Sequence, residues 1–420
     1  MDLLLGDIVQ DFRSVDDQEP FWPVNCRRKE AYCVPNGDAI VKGLTLLVRL
    51  GRDDVPAERP ELCLSATEDV FRLVALELNA DKVESYGSRT RLCGRIYTVD
   101  GDVMVIHISF IPTFEDADPS YYLVYDSAAA SLFLLPTGPP SCRSIYTSFP
   151  LRVKVGKQNK YSLVLMAERS VCTPANYTDP VLCLWSPPAD KDYSQGAWVV
   201  KKRVPSNAVW AAPFEAHVVF SCKGNAVWGD LGQGIIYCGC SDLVDGPKPV
   251  GFKHIMLPEE CRTVYNKYDW DQEPLDVSRT MGCVGDSIWF VLIQPSVTRP
   301  DDAKVKVWTL DILSVDKEWI LHSVFSMQSL WKLDIFRAMG LPKTLPLFPL
   351  IKQRDGCGIS MFLRERYRGD GKDYYAYFVC IDLGSRYKPS VRTARRLVMP
   401  TMECAVVLHP NFFGPHPKDV

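Results

Sequence analysis

An all-β repeat fold of the β-propeller kind, with about six blades, is what this sequence predicts. Three observations lead there. Pairs of apolar runs recur along the chain, each pair split by a polar loop. The runs are short and rich in Val, Ile, Leu, Tyr and Trp, the residues that suit packed strands. The loops between them carry Pro, Gly, Asp and Ser, as in Pro136-Thr137-Gly138-Pro139-Pro140 and Ser186-Pro187-Pro188-Ala189-Asp190. Proline fits such places because it cannot donate to a central ladder. Spaced hairpins of this kind build blades that bury their faces against the next repeat.

Residues 1–30 read as a polar extension, with Phe21-Trp22-Pro23 as its apolar anchor. Strand signals begin at Ala31-Tyr32-Cys33-Val34, and Asn36-Gly37 predicts a tight hairpin turn with a return strand at Ala39-Ile40-Val41. Apolar runs follow at Leu44–Leu50 and Glu61–Leu64. Val70–Leu78 fits strand or helix, since a short apolar run has no decisive period. Asp100-Gly101 then turns the chain into Val103–Ile108. Five hairpins follow. Tyr121–Asp126 pairs with Leu132–Pro136, Val181–Trp185 with Ala197–Pro205, and Ile235–Cys238 with Gly251–Pro258. Val305–Asp311 pairs with Glu318–Leu321, and Tyr377–Asp382 with Arg396–Pro400. One short helix is expected over Ser329–Met339, ended by Gly340 and Pro342. A single propeller-like domain over residues 31–405 is expected, with a tail at 406–420. In a closed ring the first strands and the last hairpin become neighbours.

Composition is that of an ordinary globular chain, 47% hydrophobic and 24% charged. A net charge of −3 argues against a general nucleic-acid or anionic-membrane field. A local basic strip, Arg392-Thr393-Ala394-Arg395-Arg396, reads as a solvated edge of the last hairpin. Met1–Asp7 has neither a basic start nor a long apolar run, so no secretory signal is expected. No window approaches the roughly 20 apolar residues of a membrane helix. A cytoplasmic or nuclear location is therefore expected. The 15 cysteines are odd in number and scattered, and Cys63, Cys183, Cys222, Cys283 and Cys380 sit inside apolar runs. Such thiols behave as small hydrophobes in a reducing compartment. The Asn176-Tyr177-Thr178 sequon carries little meaning without a secretory route.

The segment Ala226-Val227-Trp228-Gly229-Asp230-Leu231-Gly232-Gln233-Gly234-Ile235-Ile236-Tyr237-Cys238 resembles the signature of a family called domain of unknown function 1618, expanded in grasses. That signature runs through an aromatic, an Asp-Leu, a Gly, and an apolar strand ending in Cys-Asp. Ile255-Met256-Leu257-Pro258 and Cys261-Arg262-Thr263-Val264 extend the likeness, as do Tyr122–Asp126 and Leu132–Pro136 upstream. Gly239 stands where the family carries Asp. The resemblance implies a plant intracellular protein, similar in architecture to propeller-bearing F-box proteins, though residues 1–30 are too short for an F-box. It implies no catalytic residues, because the family has none established.

Several residues suggest chemistry, and each has a plainer reading. Cys238 and Cys240 form a C-x-C, two of the four thiolates or imidazoles a tetrahedral zinc needs, with no second pair at supporting spacing. They read as core. Gly285-Asp286-Ser287 resembles an esterase nucleophile block, but it leads into the strand Ile288–Val291 and reads as a turn. Of the downstream histidines, His322, His409 and His416, none has an Asp three residues before it. Asp126, Asp311 and Asp382 end strands, where a carboxylate bonds the N–H groups of the next turn. Trp185, Trp198, Trp228, Trp289, Trp308 and Trp319 sit in or beside strands and read as inter-blade core. Gly229–Gly234 has the wrong spacing for a phosphate loop.

The expected function is accordingly a non-catalytic protein-interaction module with a protein partner. No catalytic, cofactor or metal residue is assigned, and general nucleic-acid or membrane binding is not expected. The alternative is a hydrolase with its site in the propeller channel.

Overall fold

The computed structural model describes residues 3–6, 8–11, 21–49, 61–77, 90–111, 119–139, 142–144, 149–155, 160–170, 178–187, 198–204, 214–244, 246, 248–264, 272–296, 302–352, 358–364, 374–383, 390–399 and 405–408. The chain divides into two compact units. One holds residues 1–146, 156–201 and 403–420, and the other holds 147–155 and 202–402. The architecture is all-β with a few short helices, and its sheets count out to six blades.

The first unit contains a nine-stranded sheet in the order Trp22–Pro23, Leu44–Arg49, Glu61–Ala66, Ile8–Asp11, Arg91–Asp100, Val103–Ile111, Ser120–Asp126, Ser131–Pro136, Arg28–Ala31. Two blades are merged in it, a short-stranded one up to Ile8–Asp11 and a meander from Arg91 onward. A third blade is built on Lys160–Ser170 paired with Thr178–Trp185. The meander is buried on both faces. Met104, Ile106 and Ile108 enter one core, while Val103 and Val105 enter another. Period-2 alternation between two cores leaves no polar face, which is why these strands read as unbroken apolar runs.

The second unit holds three four-stranded blades. Blade four runs Val218–Cys222, Asn225–Asp230, Gly234–Gly239, Lys253–Met256. Blade five runs Arg279–Val284, Ser287–Gln294, Lys304–Leu310, Ile320–Ser326, and blade six Pro346–Lys352, Gly358–Arg364, Tyr374–Asp382, Ser390–Met399. Blade five shows the same alternation. Ile288, Phe290 and Leu292 face the core shared with blade four. Trp289, Val291 and Ile293 face the core shared with blade six.

Three local expectations change and one open alternative is settled. Asn36-Gly37 does not make a hairpin. Asn36 takes a left-handed conformation (φ 49°) and a helix runs Gly37–Gly43. Its Ile40 and Val41 are fully buried, and Asp38 accepts the Ala31 N–H at 3.1 Å. A return strand could not point both apolar side chains into one core. The ambiguous run at residue 70 is helical, Glu68–Glu77, with Val70, Phe71, Val74 and Ala75 buried. The helix expected over 329–339 is two shorter ones, Met327–Trp331 and Asp334–Ala338. Finally, strand structure begins at Leu3, ahead of residue 31. Leu3–Gly6 pairs antiparallel with Ala405–Leu408, beyond the hairpin that ends near residue 400.

Candidate functional site

The family-like segment forms the tight turn between two central strands of blade four. Trp228 pairs with Ile236 and Asp230 with Gly234 across the antiparallel ladder. Leu231, Gly232 and Gln233 make the connection. Asp230 is buried there, and its carboxylate does local work. Oδ1 accepts the Gly232 and Gln233 N–H groups at 2.8 and 3.1 Å. Oδ2 accepts the Gln233 side-chain amide at 3.0 Å and the Glu215 N–H at 3.1 Å. A buried carboxylate needs such donors, since an uncompensated one is expensive to desolvate.

The other peptide groups of the turn are also engaged. Leu231 N–H donates to His217 Nδ1 at 3.3 Å. The Gly232 carbonyl accepts from Thr263 N–H and the Gln233 carbonyl from Leu257 N–H, each at 2.9 Å. Arg279 reaches in from blade five and donates to the Leu231 and Cys261 carbonyls at 2.9 and 2.7 Å. Burial lowers the Arg279 guanidinium from its ordinary range, while Cys261 and Asp230 act in the opposite direction. A Cβ on Gly232 would lie 2.7 Å from the Thr263 carbonyl oxygen. The signature is thus a knot that ties a turn to its neighbours. Its polar groups are used internally. Thr263 lies in the segment that extends the family likeness, whereas Arg279, His217 and Glu215 had no sequence signal, because each lies outside the turn segment in the chain.

Trp228 is fully buried beside Phe252, ring centroids 5.5 Å apart. Trp185, Trp198, Trp289 and Trp308 are buried too. Trp319 is half-buried, packs against the core between blades four and five, and donates its indole N–H to the Met256 carbonyl at 3.0 Å. Cys238 is buried, and burial raises its thiol. Cys240 starts a short helix, Cys240–Val244, so strand alternation ends before it and does not place the two thiols on one face. Among the described residues no group of three or more His, Cys, Asp or Glu could hold a metal ion.

Gly285-Asp286 is the hairpin turn of blade five, with Val284 opposite Ser287 and Gly285 at φ 54°. His322 packs against Trp289 with the rings tilted at 44° and their centroids 5.0 Å apart, while His409 and His416 lie outside the described residues. Asp126 and Asp311 cap their turns as expected, accepting Ala129 N–H and Leu313 N–H at 3.0 Å. The Arg392–Arg396 strip lies on the strand Ser390–Met399. Asn176 and Tyr177 lie outside the described residues, as do residues 384–389 after Leu383.

One edge of the second unit carries several exposed apolar side chains. Blade five ends in the edge strand Ile320–Ser326. A bulge leaves His322 without an opposite residue, because Val307 pairs with Ser323 and Trp308 with Leu321. The bulge shifts the phase of the strand. Ile320, Leu321 and Val324 are exposed at 68%, 48% and 39%, and Leu313 and Val315 in the preceding loop at 63% and 95%.

Residues 228–357 match the family described as "Protein of unknown function (DUF1618)". The match bears out the family resemblance read at Trp228–Cys238 and Ile255–Val264. No curated protein matches the chain. Among solved structures it is similar to a hypothetical selenium-binding protein from Sulfolobus tokodaii, at 11% identity and TM-score 0.37, over 87% of this chain and 75% of that one. It is similar to a levansucrase mutant from B. megaterium at 8% identity and TM-score 0.30, over 71% and 83%. The catalytic domain of a Coprinopsis cinerea GH62 alpha-L-arabinofuranosidase matches at 10% identity and TM-score 0.27, over 67% and 86%.

Proposed function

We propose that the chain is a non-catalytic interaction module that binds a protein partner along the outer edge of blade five. The observation that supports this most directly is the apolar stretch at Leu313, Val315, Ile320, Leu321 and Val324. An edge strand offers a row of backbone groups for strand addition, and exposed apolar side chains beside it add contact area. Surfaces of this kind mark protein contacts or aggregation liabilities. The use of the signature's polar groups inside the fold supports the same reading, since nothing in that turn is left over for a substrate.

The test compares the full chain with Leu321→Asp/Val324→Asp. Both side chains are exposed, so the variant is expected to melt with the wild type. Wild-type bait should retain a reproducible partner that the variant loses. Recovery of the same proteins by both baits would remove the edge strand from the proposal. The hydrolase alternative makes its own prediction. Turnover of an ester or glycoside by the wild type, abolished in Ser287→Ala, would replace the interaction reading.

A further inference from the structure

Cys222 and Cys283 are 61 residues apart in sequence, and their sulfurs lie 2.7 Å apart in a hydrogen bond. Both are thiols. Cys222 ends the first strand of blade four, just before the hairpin at Lys223-Gly224, and Cys283 lies near the end of the first strand of blade five. These two strands run side by side, with Val218 of one and Met281 of the other crowding the same Gly229. We infer that Cys222 and Cys283 form a reversible redox pair, whose disulfide locks blade four to blade five.

The pair has an asymmetry that assigns roles. Cys222 is buried, whereas Cys283 is partly exposed and open to a small oxidant. The contact with Cys222 lowers the Cys283 thiol, helped by Lys223, while burial and Asp286 push it up. The same contact, with burial, raises Cys222. Asp311 lies near too, in an ion pair with Lys223 at 3.1 Å. Thiolate, not thiol, is the nucleophile.

The oxidant is a hydroperoxide, with hydrogen peroxide as the simplest. Cys283 thiolate attacks one peroxide oxygen and the O–O bond breaks. The departing hydroxide takes a proton and leaves as water, with Cys283 as the sulfenic acid. Cys222 then attacks the Cys283 sulfur, the S–O bond breaks, and the hydroxide leaves as water with the Cys222 proton. In sum, two thiols and one peroxide give one disulfide and two waters. A dithiol reverses the reaction by exchange. A disulfide that closes so long a segment should stabilise the fold by restricting the unfolded chain.

The test uses the full chain under native conditions. It is treated with hydrogen peroxide, alkylated, digested without reductant and read by mass spectrometry. A linked peptide joining Cys222 and Cys283 is expected ahead of every other cysteine pair, to be lost on adding dithiothreitol. The melting temperature should rise on oxidation. In Cys222→Ser no link should form, and dimedone should tag Cys283. Should that variant fail to fold, Cys283→Ser at the more open position serves instead, with Cys222 recovered as a thiol. Recovery of both peptides fully alkylated after peroxide would overturn the inference. So would links scattered among the other cysteines.

Discussion

Asp230 illustrates how a buried charge can serve architecture alone. Each carboxylate oxygen accepts two N–H donors, three of them from Gly232 and Gln233 just beyond it. Asn at this position keeps the shape but turns one oxygen into a donor facing other donors. Losing one acceptor in a buried charge-assisted set should cost roughly 3 kcal/mol. Asp230→Asn is therefore expected to melt well below the wild type, and an unchanged denaturant midpoint would show that the knot is not under load. Trp228 makes a second case. It is fully buried, and its indole N–H has no hydrogen-bond partner among the described residues. Trp228→Ala should cost about 3–5 kcal/mol, leaving the protein poorly soluble or unfolded. Trp228→Phe keeps a ring against Phe252 and removes an unsatisfied donor, so it should lose no more than about 1.5 kcal/mol. If the alanine variant stays as stable as the wild type, the core assignment is wrong. Sequence pointed to this segment through its resemblance to a family signature. It could not name Arg279, which lies 48 residues from the carbonyl it bonds.

At the scale of elements, period and turn chemistry made the hairpins readable. Tyr121–Asp126 with Leu132–Pro136 falls where the apolar runs put it, while the return strand expected at Glu318–Leu321 runs Ile320–Ser326 instead. Helices were harder. Gly37–Gly43 spans seven residues, and its start, Asn-Gly, carries the same left-handed preference that a hairpin turn uses. Tertiary burial of Ile40 and Val41 decided between the two. Glycines separate the same way, by what surrounds them. A Cβ on Gly234 would sit 2.4 Å from the Ile255 carbonyl oxygen and 2.9 Å from the Met256 Cα, both backbone of the paired strand. Those strands cannot stay in register around it. Nothing lies within 4 Å of a Cβ on Gly285, where only the positive φ of 54° opposes substitution. Gly285→Ala is expected to cost about 1–2 kcal/mol and to keep the fold. Gly234→Ala is expected to disrupt blade four. Similar melting of the two variants would contradict this account of the ladder.

Across the whole molecule, blade count was legible and the ends were not. Leu3–Gly6 carries an apolar run among charged residues, too short to distinguish a strand from a polar extension, and its partner lies some 400 residues away. The unusual cysteine content, by contrast, has a consequence for the molecule as a whole. Burial, with Asp242 adding and Ser221 opposing, raises the Cys240 thiol from its ordinary 9.0 to about 11. Burial also raises Cys261 to about 11, with Glu260 adding and Lys306 and Arg279 opposing. Burial likewise raises Tyr122 and Tyr125. Below pH 9 these thiols are protonated in both folded and unfolded chains, and their contribution to stability is fully present. Between pH 9 and about 11 the unfolded chain has released protons that the folded chain retains. Stability therefore falls as pH rises through that window. Cys283, whose thiol is lowered, works in the opposite direction at a single site. With reductant present, the melting temperature should decline steadily across the window, and Cys240→Ala and Cys261→Ala should each flatten the decline. A profile that stays level to pH 11 would mean that these thiols ionise in the folded chain as readily as in the unfolded one, and that the cores holding them admit water.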